Sequence, residues 1–150
     1  MKTRPWIGAA VVGLILALVP VVRADASPAS MMLTNTQVHI TNRYPHQTQA
    51  IVAYRDSACT GWMVRGWFVI DSGDTRHVAN TDRDYILFFA ESNGDDTVWD
   101  GSVITVNVPN KRFGTCDTYL QQALPGTRPL GLRMRNFSPG LETFTISLVP

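Results

Sequence analysis

Trp62-Met63-Val64-Arg65-Gly66-Trp67-Phe68-Val69-Ile70 is the run whose reading decides the fold. At period two, Trp62, Val64, Phe68 and Ile70 share one face with Gly66 between them, while Met63, Arg65, Trp67 and Val69 share the other. Such alternation marks a β-strand, because successive side chains of an extended backbone point to opposite faces. Cys59 lies before the run and Cys116 after it.

Working outward from this run, the same pattern recurs. Toward the N-terminus, 49–55 has apolar residues on both faces, as a central strand does, and 36–41 alternates Val38 and Ile40 against Gln37, His39 and Thr41. Asp71 to Asp74 supplies a turn, and 75–79 is a polar return strand suited to a sheet edge. The run 85–91 is apolar on both faces and too short for a helix, so it reads as a buried strand. Asn93-Gly94 signals a hairpin that pairs 97–99 back, and 102–108 alternates again. Asp117 is placed to cap a short helix ending at Pro125-Gly126, with Tyr119, Leu120 and Ala123 packed on the body. The segments 130–135 and 141–148, joined by Ser138-Pro139-Gly140, read as a C-terminal hairpin. Eight or nine short strands with one short helix describe an all-β, antiparallel β-sandwich or compact barrel.

Residues 1–26 carry a different signal. Lys2 and Arg4 precede an apolar run from Ile7 to Val22, and Ala24-Asp25-Ala26 offers small residues for cleavage after Ala24 or Ala26. This is the pattern of a secretory signal peptide, leaving 27–150 as one exported domain, secreted or periplasmic. The apolar run is shorter than the roughly 20 residues a membrane-spanning helix needs, which favours a cleaved leader over an uncleaved anchor, and cleavage leaves no stable span. Removing Lys2, Arg4, Arg23 and Asp25 leaves ten bases against eleven acids, a net charge of −1. A near-neutral domain offers no general attraction to nucleic acid or anionic lipid. Cys59 and Cys116, alone together in an oxidising compartment, are expected to pair as a disulfide.

No residue pattern dictates catalysis. His39, His46 and His77 have no carboxylate or second histidine at a metal-like sequence spacing, and no nucleophile elbow, zincin helix or phosphate loop occurs. Glu91, Asn93, Asp95, Asp96 and Asp100 surround one hairpin with the hard oxygens that Ca²⁺ prefers, making Ca²⁺ the one candidate cofactor. Asp and Asn also occur in turns for backbone reasons alone. Arg65 and Trp67, on one face of the central run, form a candidate ligand ledge, where a ring beside a guanidinium stacks on a sugar or grips a peptide. The alternative is that this face is covered, with Trp67 filling it. Arg128, Arg133 and Arg135 offer a basic strip or simply a solvated face.

Asn42, Ala53 to Asp56, Trp62 with Arg65-Gly66-Trp67-Phe68, Ile70, Gly73, Phe89-Ala90-Glu91, and Trp99 with Gly101 follow in an order similar to a family of small secreted bacterial domains of unknown function, recognised by an Arg-Gly-Trp-aromatic core motif. The resemblance covers about Ile40 to Cys116 and implies an exported domain, alone or as a module, with no activity, catalytic residue or cofactor to carry over. Where that family often has cysteines, before the asparagine and after the turn glycine, this chain has Thr41 and Asp74 or Thr75.

These features together lead to the expectation of a secreted, non-catalytic binding or interaction domain whose partner is an extracellular or cell-envelope protein or carbohydrate. The alternatives are an extracellular hydrolase with an acidic loop site and a secreted effector or inhibitor.

Overall fold

The computed structural model of the protein describes residues 35–150; the signal peptide expected at 1–26 and the residues that follow it, up to 34, lie outside the described residues. Ten strands follow in order: β1 Thr36–Asn42, β2 Thr48–Arg55, β3 Trp62–Ile70, β4 Thr75–Thr81, β5 Tyr85–Ser92, β6 Val98–Trp99, β7 Ile104–Pro109, β8 Phe113–Cys116, β9 Thr127–Asn136 and β10 Thr143–Leu148. They build two sheets. The smaller runs β10-β1-β4, and the larger runs β7-β9-β5-β2-β3-β8 with β6 paired to β5, curling almost into a barrel. Among the described residues, no helix is long and apolar enough to cross a membrane.

Two cores result, and β2 and β5 serve both. Ala50, Val52, Ile86 and Phe88 face the small sheet, where Val38, Ile40, Ile146 and Leu148 meet them. Ile51, Ala53, Leu87 and Phe89 face the hollow of the curled sheet with Val106, Val108, Leu130 and Leu132. This is why both strands are apolar at consecutive positions.

The alternation expected for Trp62–Ile70 breaks at its centre. Phe68 and Ile70 join the sandwich core, whereas Val64 and Trp67 fill the hollow and Trp62 packs against it. The register explains the switch: Ala50 pairs with Phe68 and Val52 with Arg65, so Ile51 alone stands opposite Gly66 and Trp67. This is a β-bulge, and its extra residue turns the rest of the strand over. Gly66 is needed there, because a Cβ would lie 2.6 Å from the Ile51 Cγ1.

Three further expectations are corrected. The segments after Pro125 form no hairpin: β9 pairs with β5 and β7, while β10 crosses to the small sheet and runs parallel to β1, with Ile40 opposite Ile146. The apolar residues of β9 and β10 thus serve different cores. The return strand β4 pairs with β1 in the other sheet, although it is an edge as expected. The helix shrinks to a 3-10 turn, Asp117–Tyr119, because the Asp117 carboxylate accepts a hydrogen bond from the Trp62 N–H (3.0 Å) instead of capping its own helix; Ala123 is exposed.

Cys59 and Cys116 are disulfide-bonded as expected, with Cα atoms 5.6 Å apart. The bond joins the β2–β3 loop to the end of β8, beside the Met63–Cys116 pair.

Candidate functional site

The candidate site grows from the end of the sandwich at which β2 ends and β3 and β5 begin. Arg55, the last residue of β2, is in register with Trp62, the first of β3. Its guanidinium lies 4.7 Å from the Trp62 ring centre, and Nη1 donates to the Gly61 carbonyl (3.0 Å). Stacking on indole and bonding to a carbonyl fix a side chain that would otherwise sample many rotamers. Trp62 in turn leans on Tyr85, the first residue of β5, with ring centres 5.7 Å apart.

The loops on either side are held as firmly. Asp56 closes its own turn by accepting from the Ala58 N–H (2.8 Å), the disulfide fixes Cys59, and a Cβ at Gly61 would strike the Asp117 carboxylate. Opposite, the Thr81 hydroxyl accepts from the Arg83 N–H (3.2 Å), and the Asp84 carbonyl accepts from the Phe137 N–H (2.8 Å). Arg83 Nε lies 3.6 Å from an Asp82 carboxylate oxygen.

Between these walls opens a cleft of about 650 Å³, lined by Arg55, Asp56, Asp82, Arg83, Tyr85 and neighbouring Asn, Ser and Thr residues. That size lies within the roughly 300–1,000 Å³ usual for small-ligand sites. Two guanidinium groups balance two carboxylates, so the cleft has little net charge but dense donors and acceptors. Arg55 and Tyr85 are half-buried, whereas Asp82 and Arg83 are exposed at the rim.

The residues singled out from sequence lie elsewhere. Arg65 and Trp67 do not share a ledge, because the bulge places Trp67 in the hollow while Arg65 approaches Phe68 on the sandwich side. Trp67 is 8 % exposed; its Nε1 donates to the Pro109 carbonyl (2.8 Å) and Arg128 covers its ring at 4.8 Å. Arg128 also pairs with Glu91, which accepts a bond from Gln49. Arg133 lies over Phe88 on the sandwich side, whereas Arg128 lies over Trp67 on the side of the hollow, so the three arginines form no common strip.

The acidic hairpin occupies the opposite end of the sandwich from the cleft. Glu91 is taken by Arg128, Asn93 donates to Gln47 (2.8 Å), and Asp95 accepts from the Tyr44 hydroxyl (2.6 Å) and the Thr97 N–H (3.0 Å). Asp96 and Asp100 are exposed. Among the described residues, no group of three or more His, Cys, Asp or Glu side chains is placed to hold a metal ion, at this hairpin or elsewhere. The Tyr44 hydroxyl, aided by the Thr97 N–H, holds the Asp95 carboxyl down at about 2, below its ordinary 3.8. Tyr44→Phe should therefore raise it toward the ordinary value, read by NMR titration of the Asp95 carboxyl carbon. A depressed carboxyl stabilises the fold above pH 4 and loses that contribution as pH falls toward 2. The variant should accordingly show a weaker dependence of stability on pH across this window.

Sequence reading missed the cleft because its groups are ordinary polar residues at strand ends, separated by up to three turns of chain. Its one visible sign was the loop position of Cys59, which the disulfide anchors against Cys116. Comparison of the chain with protein-family models, curated proteins and solved structures finds no match.

Proposed function

We propose that this domain is an exported, non-catalytic binding module that takes a neutral polar ligand, a short carbohydrate of an extracellular or cell-envelope surface, in the Arg55–Tyr85 cleft. The observation that carries the proposal is that two arginines and two aspartates line the cleft beside the Tyr85 ring. Sugar hydroxyls donate and accept at the same atom, so adjacent guanidinium and carboxylate groups suit them, while an aromatic face suits their C–H surface. Export is supported by the leader-like N-terminal sequence and by the disulfide, a bond favoured in oxidising compartments.

The test is calorimetric titration of the oxidised domain with neutral cello-, xylo- and chito-oligosaccharides. Binding to at least one series is expected, weakened about tenfold or more by Arg55→Ala and by Tyr85→Ala, a change of about 1.4 kcal/mol or more. No binding to any series would overturn the proposal. Release of new reducing ends would replace it with the hydrolase, and capture of a protein instead of a glycan would favour an effector or inhibitor.

We also propose that the family resemblance reflects shared architecture, and the Thr41–Thr75 pair supports it. These residues are in register across β1 and β4, with hydroxyl oxygens 2.7 Å apart, at places where the resembled family often carries cysteines. A Thr41→Cys/Thr75→Cys double variant should close a second disulfide spontaneously. Chain entropy sets the upper limit of the gain at about 4 kcal/mol, less any strain. Mass spectrometry after thiol blocking and thermal melting of the oxidised variant check it, and two free thiols with an unchanged melting temperature would contradict it.

A further inference from the structure

A polar face that meets the cleft only at Asn80 carries a second inference. His39 on β1 and His77 on β4 are separated by 38 positions in sequence, yet they are in register across the antiparallel pair, with ring centres 5.2 Å apart. The bulge that puts Val78 and Ala79 both into the core leaves His77 on the outer face opposite His39. Sequence spacing hides this juxtaposition, because it depends on β4 crossing to the small sheet.

We propose that His39 and His77 form a two-imidazole site for a borderline divalent transition metal such as Zn²⁺ or Ni²⁺. An imidazole nitrogen lies about 1.1 Å from its ring centre and binds zinc at about 2.0–2.1 Å, which puts the centres of two rings on one tetrahedral ion about 5.2 Å apart. The observed separation matches that arrangement.

The hydrogen bonds favour ligation too. His77 Nε2 lies 2.9 Å from the Asn80 side-chain oxygen, which only accepts, so Nε2 carries the proton and Nδ1 keeps its lone pair. This is the outer-shell arrangement that commonly orients a metal-binding histidine. His39 Nδ1 is buried without a hydrogen-bond partner, so no protein hydrogen bond occupies that nitrogen.

The surroundings set the selectivity. β1, β4 and β10 contain no Asp or Glu, so hard cations that need carboxylates find no ligand there, whereas imidazole suits zinc, nickel and copper. With two protein ligands, water fills the remaining positions.

The experiment follows the imidazole resonances of His39, His46 and His77 by ¹⁵N NMR in the intact domain during separate additions of Ni²⁺, Zn²⁺ and Ca²⁺. His46, which lies near Asp95 at the far hairpin, serves as the internal control. Ni²⁺ should broaden His39 and His77 together at substoichiometric ratios, Zn²⁺ should shift the same pair, and Ca²⁺ should do neither. His77→Gln should weaken the response at His39 about tenfold or more, and His39→Gln the response at His77, while thermal melting verifies that both variants fold. The proposal is overturned if His46 responds over the same concentration range, if either variant leaves the other histidine's response unchanged, if Ca²⁺ acts as Zn²⁺ does, or if millimolar metal has no effect.

Discussion

Asn42→Ala should lower the unfolding free energy by about 3 kcal/mol, a large effect for one side chain. Asn42 is fully buried at the end of β1, where its Nδ2 donates to the carbonyls of His46 (2.8 Å) and Ile70 (3.0 Å) and its Oδ1 accepts from the Tyr44 N–H (2.9 Å). One amide therefore ties the small sheet to the end of β3 in the large sheet. Alanine leaves three backbone groups without those partners at once, each worth about 1 kcal/mol or more when buried. Asn42→Asp should be worse at neutral pH, because a carboxylate would face two carbonyl oxygens that need donors. Burial and those oxygens would raise its folded pKa above the unfolded value, so the variant should regain part of its stability as pH falls from 7 to 4. Urea denaturation at both values checks this, and a loss below about 1 kcal/mol for either variant at pH 7 would contradict it.

Gly66→Val should cost more than about 3 kcal/mol, and Gly66→Ala about 1–3 kcal/mol, by overpacking. The Cβ position at Gly66 lies 2.6 Å from the Ile51 Cγ1 and 3.3 Å from Phe113, with Trp67 filling the same face one residue on. Backbone and core are both committed at this point, so little can move. Combining Gly66→Ala with Ile51→Ala should cost less than the sum of the single changes, because the second substitution removes the atom that the first one meets. Chemical denaturation of the four proteins measures that coupling. Strict additivity would mean that the two residues do not compete for the same space.

Most strands were legible in sequence because alternation and turn residues mark them locally. β2 and β5 were also recognisable as buried, since both faces of each are apolar. What escaped was non-local. The bulge is invisible in Trp62–Ile70 taken alone, for only the pairing of Ile51 with two residues reveals that the pattern slips at Gly66. Ser138-Pro139-Gly140 has good turn chemistry and so points to a hairpin, yet β9 finds its partners in β5 and β7, and β10 pairs with β1.

The sites show the same division. Arg65 and Trp67 looked like neighbours because they are two residues apart, until the bulge separated their faces. The acidic hairpin stands out by composition, but Glu91, Asn93 and Asp95 bond Arg128, Gln47 and Tyr44, while Asp96 and Asp100 are exposed. The cleft, by contrast, is assembled from the ends of β2 and β5 and the loops beside them, so it exists only once the sandwich has formed.

Amide chemical-shift mapping of the ¹⁵N-labelled, oxidised domain during addition of the neutral oligosaccharide series tests the central claim most directly. The account predicts saturable shifts concentrated in Arg55 to Trp62 and Asn80 to Tyr85, on both walls of the cleft. Shifts centred on Glu91 to Asp100, or no saturable shift with any oligosaccharide, would contradict it.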